Sequence, residues 1–317
     1  MKKIKYRNDK ITFETFLSGT PARDYVFQKM PYVEQIRLAS RMLQDAEYVL
    51  VGAGAGMSVA AGVQYGGTFF EENFREFQKK YGKGPYMQDM YSAGFYPYPD
   101  EESYWGYWSK QAILGGIDLD VTPLHKTFLS MLSGKKIFVL STNADGQFVK
   151  AGLPEDQIFC TQGDYFHIQC RKGCHDKLYD AVDLFRQMDQ ARQDCRIPTY
   201  MVPKCPVCGG AMDMNLRKDQ HFVQDAAWYD AEQRFGDFLS EAEKGRLVLL
   251  ELGVGFNTPM IIRFPFEKLV RENKNISMIR LNLNEAVVPE SLGDRAVGIN
   301  ADMKESITDI ERCVAGM

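Results

Sequence analysis

Short apolar runs alternate with helical patterns along most of the chain. The runs predicted to be strands lie at 47–51, 136–142, 158–162, 247–253, 277–283 and 296–300. The helical patterns lie at 31–45, 124–132, 225–245, 259–272 and near the C-terminus. Because strands that alternate with helices build parallel sheets, this order predicts an α/β fold: a doubly wound parallel sheet with helices on both faces.

Two stretches interrupt this alternation. Residues 69–120 are predicted to form a helical insertion rich in Phe, Tyr and Trp, and residues 166–216 are irregular and carry paired cysteines. The aromatic side chains either form the local core of the insertion or line a substrate channel. The expected division is an N-terminal arm and helix (1–45), a main α/β domain (46–165 and 217–317) and an inserted cysteine module (166–216).

The composition is that of an ordinary globular protein. The formal net charge of -4 leaves no basic surface of the kind that binds nucleic acid. The most apolar stretch, 247–255, is interrupted by Glu251 and is shorter than the roughly 20 apolar residues of a membrane-spanning helix. The first residues carry lysines with no apolar run behind them, so no secretory leader is expected. We therefore expect neither nucleic acid nor membrane as a partner, and a cytoplasmic location.

Three glycines directly follow the first predicted strand, and a helix begins after them. Gly52, Gly54 and Gly56 allow a tight turn and let a diphosphate approach the N–H groups at the helix start. Ser58 adds a hydroxyl donor. The spacing departs from G-x-G-x-x-G, because Met57 stands where the third glycine is expected. The turn favours a Rossmann-like domain but leaves phosphate binding open, since similar turns occur in α/β proteins that bind no dinucleotide.

Four of the seven cysteines form two close pairs. They are Cys170 with Cys174, and Cys205 with Cys208. Two such knuckles can present four thiolates to Zn²⁺ in a tetrahedron, and four thiolates close the coordination sphere. A structural zinc in a ribbon-like module is therefore predicted, with His175 as a solvated neighbour rather than a ligand. The odd total of cysteines argues against a secreted disulfide framework.

Polar residues follow two of the predicted strands. The second predicted strand runs into Thr142, Asn143 and Asp145, and the third runs into Gln162. Ligands of doubly wound sheets bind at the carboxyl ends of strands, so these side chains are candidate ligand contacts. They are also common turn formers and caps, so neither motif is decisive by itself.

Taken in order along the chain, these motifs resemble those of the sirtuin family. G-A-G-A-G-M-S (52–58) resembles the family's phosphate-binding G-A-G-x-S turn, and T-N-A-D-G (142–146) resembles its Q-N-I-D-G motif. G-V-G-F-N-T-P (253–259) stands in place of its G-T-S loop, and L-N-L-N-E (281–285) resembles its segment near the adenine ribose. The cysteine pairs resemble its zinc ribbon. The match spans residues 46–303, and the order of the motifs makes it stronger than any one of them.

The resemblance implies that NAD is consumed as a co-substrate. The cofactor-binding residues that it implies are Gly52, Ala53, Gly54, Gly56, Ser58, Thr142, Asn143, Asp145, Gly253, Val254 and Asn282. Of these, Ala53, Gly54 and Ser58 would contact the diphosphate. Asn143 would lie near the nicotinamide ribose, and Asp145 would hold the nicotinamide carboxamide. The last three of the set would line the adenosine half.

Departures from the family's deacylases shift the implied reaction. Gln162-Gly163 stands where they have His-Gly, and a glutamine cannot act as their histidine does, drawing a proton from the ribose hydroxyls. Thr142 replaces their glutamine, and residues 63–67 replace their I-P-x-F-R, including its arginine. This combination resembles the class M sirtuins, which are encoded beside macrodomain hydrolases in bacteria and fungi. That branch mono-ADP-ribosylates a lipoylated glycine-cleavage H-like carrier protein.

The implied function is therefore an NAD-dependent protein mono-ADP-ribosyltransferase with Asn143, Asp145 and Gln162 as catalytic residues. Its expected partners are the lipoylated carrier and a macrodomain hydrolase. An acidic acceptor side chain, with a pKa near ~4, is already ionised at neutral pH and needs no general base. Three alternatives stay open: an NAD glycohydrolase, a residual deacylase, and a module that binds NAD or ADP-ribose without turnover.

Overall fold

The structure, a computed structural model, describes residues 20–256 and 259–316. Most of the predicted N-terminal arm (1–19) lies outside the described residues, as do 257 and 258 of the 253–259 motif. Within the described part of the chain, no helix combines the length and the apolar character needed to cross a membrane.

The chain forms short strands and helices of ordinary length. The strands are β1 (Tyr25–Val26), β2 (Tyr48–Ala53), β3 (Lys136–Ser141), β4 (Ile158–Cys160), β5 (Gly163–Cys170), β6 (Tyr179–Asp180), β7 (Met212–Leu216), β8 (Leu247–Leu252), β9 (Ile276–Leu281), β10 (Val288–Pro289) and β11 (Ala296–Ile299). The α-helices are α1 (Tyr32–Asp45), α2 (Ala55–Ala60), α3 (Gly67–Asn73), α4 (Arg75–Tyr81), α5 (Met90–Gly94), α6 (Glu101–Ala112), α7 (Pro123–Met131), α8 (Gln147–Lys150), α9 (Val182–Ala191), α10 (Ala226–Ala242), α11 (Arg263–Glu272) and α12 (Met303–Val314). A π-helical turn, Ile113–Ile117, follows α6, and 3₁₀ turns lie at Ala22–Asp24, Glu155–Gln157, Thr199–Met201 and Glu290–Arg295.

Six strands form one parallel sheet in the order β11–β9–β8–β2–β3–β4. From β2 the chain proceeds through β3 and β4 to one edge, and from β8 it proceeds through β9 and β11 to the other. The two halves diverge between β2 and β8, which is the switch point where doubly wound sheets bind ligands. The predicted Rossmann-like doubly wound sheet is confirmed.

Alternate residues of the central strand enter two separate cores. Val49 and Val51 pack with α1, α7 and α12 on one face, while Tyr48 and Leu50 pack with α10 and α11 on the other. Side chains of a strand point alternately to opposite faces, so a strand covered by helices on both sides is apolar throughout. All six residues of β2 are buried.

The predicted insertion and the cysteine module share a third core. The stretch predicted to be irregular contains β6–β5–β7, an antiparallel sheet, together with α9. Trp105 of α6 stacks on Phe185 of α9, with 6.1 Å between the ring centroids. The most buried aromatic residues of the insertion are Phe70, Phe74, Phe77, Trp105 and Tyr107. These aromatic side chains therefore form a local core, which was the first of the two interpretations above.

Four charged side chains are buried together where β8, β9 and α11 meet. Arg280 donates to both carboxylate oxygens of Glu251 at 2.6 and 2.8 Å and to Glu267 at 2.9 Å. Arg263 lies 3.6 Å from Glu251 and donates to the carbonyl of Val254 at 2.9 Å. The cluster therefore links the central sheet to the loop after β8, at the switch point.

Replacing Arg280 with methionine should lower the free energy of unfolding by about 3–5 kcal/mol, because two buried carboxylates lose their main partner. Urea unfolding followed by circular dichroism measures this change. The matched control is Lys268→Met, since Lys268 and Glu272 form an exposed pair at 3.9 Å. That change should cost less than about 1 kcal/mol. Equal costs for the two variants would contradict the role given to the cluster.

Candidate active site

The turns after β2 and β8 pack directly against each other at the switch point. The N–H of Gly54 donates to the carbonyl of Leu252 at 2.9 Å, and that of Gly56 donates to the carbonyl of Gly253 at 3.1 Å. A Cβ atom on Gly54 would lie 2.8 Å from the Gly253 oxygen, and one on Gly56 would lie 2.7 Å from the Gly253 Cα. Gly253 has a φ of 60°, in the left-handed region that favours glycine. The glycines thus serve the contact between the two turns, and two of their N–H groups are already engaged.

The end of β2 is also held by its other neighbours. A Cβ atom on Gly52 would lie 2.4 Å from Ile262 Cγ2 and 2.8 Å from the Phe266 ring, so glycine here lets α11 approach the strand. On the opposite side, the carbonyl of Ala53 accepts hydrogen bonds from the N–H and the hydroxyl of Thr142, at 3.0 and 3.2 Å. The three glycines therefore each have a packing role in addition to the predicted role toward a diphosphate.

Gly56→Ala should lower the free energy of unfolding by about 1–3 kcal/mol and weaken NAD binding, because backbone atoms cannot yield to the added methyl group. Chemical denaturation and calorimetric titration with NAD measure the two effects. Gly84→Ala is the control, since nothing lies within 4 Å of a Cβ atom built at Gly84. It should change stability by less than about 0.5 kcal/mol. An equally stable Gly56→Ala protein would show that the two turns tolerate separation.

Three predicted site residues meet in one buried hydrogen-bonded cluster. The Ser58 hydroxyl donates to the Asp145 carboxylate at 2.5 Å. The Asn143 amide donates to the Gly54 carbonyl at 3.0 Å and to the Ser58 hydroxyl at 3.3 Å. Ser58, Asn143 and Asp145 are 0%, 9% and 3% exposed. In this structure the Ser58 hydroxyl donates its hydrogen bond to Asp145, whereas the sequence suggested a phosphate as its acceptor.

Residues that the sequence analysis did not select surround Asp145. The phenol of Tyr65 lies beside Ser58 and Asp145, and burial together with the Asp145 charge raises its pKa. Burial lowers the pKa of His125, an effect that the Asp145 charge partly opposes. The N–H of Gln147 donates to Asp145 at 3.0 Å. Tyr65 is separated from Asp145 by 80 positions, so no local motif could have linked them.

Gln162 lies in the loop after β4, beside the loop that carries Asn143 and Asp145. The N–H of Thr161 donates to the carbonyl of Ser141 at 3.0 Å, so β3 and β4 remain paired up to this loop. The side-chain amide of Gln162 has no hydrogen-bond partner among the described residues. It is therefore available to a ligand at the carboxyl edge of the sheet.

The adenosine half of the predicted site is a fixed loop. The carbonyl of Val254 accepts from Arg263 at 2.9 Å and from the Asn282 amide at 3.0 Å. Val254 is 3% exposed and Asn282 is 9% exposed. The structure thus brings Gly253, Val254 and Asn282 together beside the glycine turn, and their role toward adenosine stays a prediction.

The four paired cysteines converge at one end of the cysteine module. The Sγ atoms of Cys170 and Cys208 lie 3.7 Å apart, those of Cys174 and Cys205 lie 3.6 Å apart, and all four lie within 4.8 Å of one another. Tetrahedral zinc–thiolate geometry, with bonds of about 2.3 Å, needs sulfur atoms about 3.8 Å apart. His175 Nδ1 lies 3.1 Å from Cys174 Sγ, adjacent to this set. The donor set and its spacing fit a structural Zn²⁺.

The chain is similar in sequence to two ADP-ribosyltransferases over most of its own length. It is 33% identical over 282 residues to the protein ADP-ribosyltransferase of Staphylococcus aureus, covering 89% of this chain and 87% of that protein. It is 35% identical over 270 residues to a probable bifunctional ADP-ribose hydrolase/ADP-ribosyltransferase of Fusarium oxysporum f. sp. cubense, covering 80% of this chain and 43% of that protein. The chain therefore spans less than half of the fungal relative. No protein-family model matches the chain.

Solved structures show the same fold at lower identity. A Sir2 homologue in complex with NAD superimposes with a TM-score of 0.56 at 16% identity, covering 88% of this chain and 93% of that chain. A sirtuin solved to explain substrate affinity gives a TM-score of 0.54 at 20% identity, covering 85% and 95%. These structural similarities, together with the switch-point turns and the four-cysteine cluster, define the fold as that of the sirtuins. Within that fold, the chain belongs to the sirtuin-like protein ADP-ribosyltransferases, which are NAD-dependent enzymes.

Proposed function

We propose that this enzyme transfers a single ADP-ribose from NAD to an acidic side chain of a lipoylated glycine-cleavage H-like carrier protein. The observation that carries the proposal is the nature of residue 162, in the loop after β4. Gln162 presents an unpartnered amide, within the described residues, at the strand end next to Asn143 and Asp145. An amide donates and accepts hydrogen bonds but does not take up a proton at neutral pH.

No histidine replaces the missing base in these loops. The chain has four histidines, and none of them lies in the loops that follow β3 and β4. His125 is buried in α7 with its Nδ1 2.6 Å from the Thr122 hydroxyl, and His167 is bound to Asp164 at 2.9 Å. The deacylase reaction needs a base to draw a proton from the ribose hydroxyls, whereas attack by an ionised carboxylate needs none. This favours an acidic acceptor over the deacylase reaction.

The chain's own residues supply positioning and electrostatic stabilisation in this proposal. Asn143, Ser58 and Asp145 hold one another in a buried network, so their polar groups are oriented before the substrate arrives. Asp145 is assigned to the nicotinamide carboxamide, and Asn143 and Gln162 to the ribose side. Positive charge develops at the ribose C1 carbon as nicotinamide leaves, and oriented polar groups stabilise it more effectively than water does.

The proposed partners follow from the resemblance to the class M sirtuins. The fungal relative is named for two activities, a hydrolase and a transferase, and the present chain matches 43% of it. That pairing supports a separate macrodomain hydrolase as the partner that removes the modification. The lipoylated carrier is the proposed acceptor because the class M branch modifies such a protein.

We also propose that the cysteine cluster binds one structural zinc ion. The donor chemistry supports it: four sulfur atoms lie at the spacing of a tetrahedral site, and among the described residues no fifth His, Cys, Asp or Glu joins them beyond the neighbouring His175. Free thiols in such pairs persist in a reducing compartment, so we propose a cytoplasmic location as well.

Incubation with labelled NAD and a purified lipoylated H-like carrier tests the function. We expect label on the carrier and an equal amount of released nicotinamide. The same carrier without lipoate, and an Asn143→Ala enzyme, are the controls and should give little label. Nicotinamide release that is equally fast without any carrier would instead identify an NAD glycohydrolase. Turnover of an acyl-lysine peptide would identify a deacylase, and NAD binding without nicotinamide release would identify a binding module.

A further inference from the structure

Arg217 contacts the Gln162 loop with both its backbone and its side chain. It follows β7 directly, and its N–H donates to the carbonyl of Gln162 at 3.0 Å. Its Nε donates to the carbonyl of Thr161 at 3.2 Å. The residue is nevertheless exposed. A positively charged group is thus held at the solvent-facing side of the loop that carries Gln162.

Two aromatic rings fix the guanidinium group of Arg217. Its central carbon lies 4.4 Å from the centroid of the Phe222 ring and 5.7 Å from that of Trp228. Planar guanidinium groups stack favourably on aromatic faces, and the stacking restricts the side chain to few rotamers. An arginine restrained in this way loses little additional entropy when it binds an anion.

The segment between Arg217 and Trp228 is itself anchored in the protein. The Asn215 amide donates to the carbonyl of Val223 at 3.1 Å, and the Gln169 side chain accepts from the N–H of Val223 at 2.8 Å. Gly163 has a φ of 82°, and a Cβ atom there would lie 1.8 Å from the Asn215 carbonyl oxygen. The close contact leaves no room for a side chain at Gly163 and fixes the position of Arg217 relative to Gln162.

Arg217 also lacks the acidic partner that the other arginines of this region have. The neighbouring ion pairs are Arg171 with Glu101, Arg186 with Asp118, Arg192 with Asp189 and Arg196 with Asp100. Within the described residues, no Asp or Glu forms an ion pair with Arg217. Its Nε donates to the Thr161 carbonyl, and its two terminal amino groups have no hydrogen-bond partner in the described part of the chain. These groups match the two oxygens of a carboxylate.

We propose that Arg217 recognises the acceptor by binding the carboxylate that becomes ADP-ribosylated. The inference rests on the proposed function and names the acceptor chemistry: an aspartate or glutamate on the carrier surface. The guanidinium group holds the carboxylate in its ionised form beside Gln162. One carboxylate oxygen forms a bond to the ribose C1 carbon as the bond from C1 to the nicotinamide nitrogen breaks. The electron pair of that bond leaves with nicotinamide, and no proton is transferred.

The test separates acceptor binding from NAD turnover. Arg217→Gln should lower kcat/KM for the lipoylated carrier by about tenfold to a hundredfold, the cost of losing hydrogen bonds to a charged group, mainly through KM. Arg217→Lys should retain part of the activity because it keeps the charge. Nicotinamide release without carrier should fall much less than carrier modification, because the backbone hydrogen bond from Arg217 to Gln162 remains in both variants. The fall of kcat/KM with added salt should also be shallower in Arg217→Gln.

Arg186→Gln is the matched control, because Arg186 is half exposed, lies in α9 and already pairs with Asp118. It should leave carrier modification unchanged. An Arg217→Gln enzyme with the wild-type KM for the carrier would overturn the proposal. So would an equal loss of carrier-independent nicotinamide release, since Arg217 would then act by supporting the Gln162 loop.

The role of Arg217 can also be tested if the lipoylated carrier is not the acceptor, by comparing the wild-type protein with the Arg217→Gln and Arg186→Gln variants. Absence of label on the carrier with the wild-type enzyme would reject the proposed function but not the role of Arg217. Binding of fluorescent poly-L-aspartate then serves as a carboxylate probe that needs no carrier. Weakening by about tenfold in Arg217→Gln, but not in Arg186→Gln, supports the proposal. Equal binding by all three proteins rejects it.

Discussion

Asp145→Asn is expected to lower the rate of nicotinamide release by about a hundredfold to a thousandfold, as removal of an oriented catalytic charge does in other enzymes. The carboxylate accepts from Ser58 at 2.5 Å and from the N–H of Gln147 at 3.0 Å. An asparagine has the same size, but its amino group cannot accept from Ser58 and carries no charge. Liquid chromatography of nicotinamide released from NAD measures the rate, and calorimetry measures NAD affinity.

The control for this substitution is another aspartate with a similar local contact. Asp180 accepts the N–H of Val182, two residues ahead, at 3.2 Å, just as Asp145 accepts that of Gln147. Asp180 is exposed in the cysteine module, so Asp180→Asn should leave turnover unchanged. Wild-type turnover by Asp145→Asn, with the melting temperature preserved, would remove Asp145 from the catalytic residues.

Cys205→Ser is expected to abolish the proposed zinc binding and unfold the cysteine module. Structural zinc contributes about 10–16 kcal/mol to the folding of zinc-finger peptides, which matches or exceeds the total stability of a typical domain. The loss should extend to the active site. Gly163 of β5 pairs with Leu216 of β7, and Gly163 is the residue after Gln162. Elemental analysis should show zinc falling from about one ion per chain to nearly none. Nicotinamide release should fall with it.

Cys313→Ser is the matched control, because Cys313 lies in α12 and outside the four-cysteine cluster. It should keep its zinc, its melting temperature and its activity. Chelation of the wild-type protein should reproduce the effect of Cys205→Ser. A Cys205→Ser protein with normal melting temperature and activity would show that the cluster does not support the fold.

Much of the sheet could be predicted from the sequence because its strands are locally distinctive. The run that forms β2 is apolar throughout, since both of its faces are covered by helices. The cysteine module was harder to predict. Its strands β5 and β7 lie in the stretch that the sequence pattern predicts to be irregular. They form strands because they pair with each other, and this pairing joins residues as distant in the chain as Cys170 and Met212. The helix α9 was missed as well, although Phe185 and Met188 are spaced as a helical stripe.

By itself the sequence determined the class of fold, the two cysteine pairs that come together and the family, because these depend on local patterns and on the order of motifs along the chain. It also singled out Gln162 as the departure that separates this chain from the deacylases. Only the tertiary structure decided which groups are still free to act. It engages the N–H groups of Gly54 and Gly56 with the turn after β8 and commits the Ser58 hydroxyl to Asp145. Among the described residues, it leaves the terminal amino groups of Arg217 without an acidic partner, close to the loop that carries Gln162. Such pairings join residues far apart in the chain, and hydrogen bonds between them depend on packing rather than on local sequence.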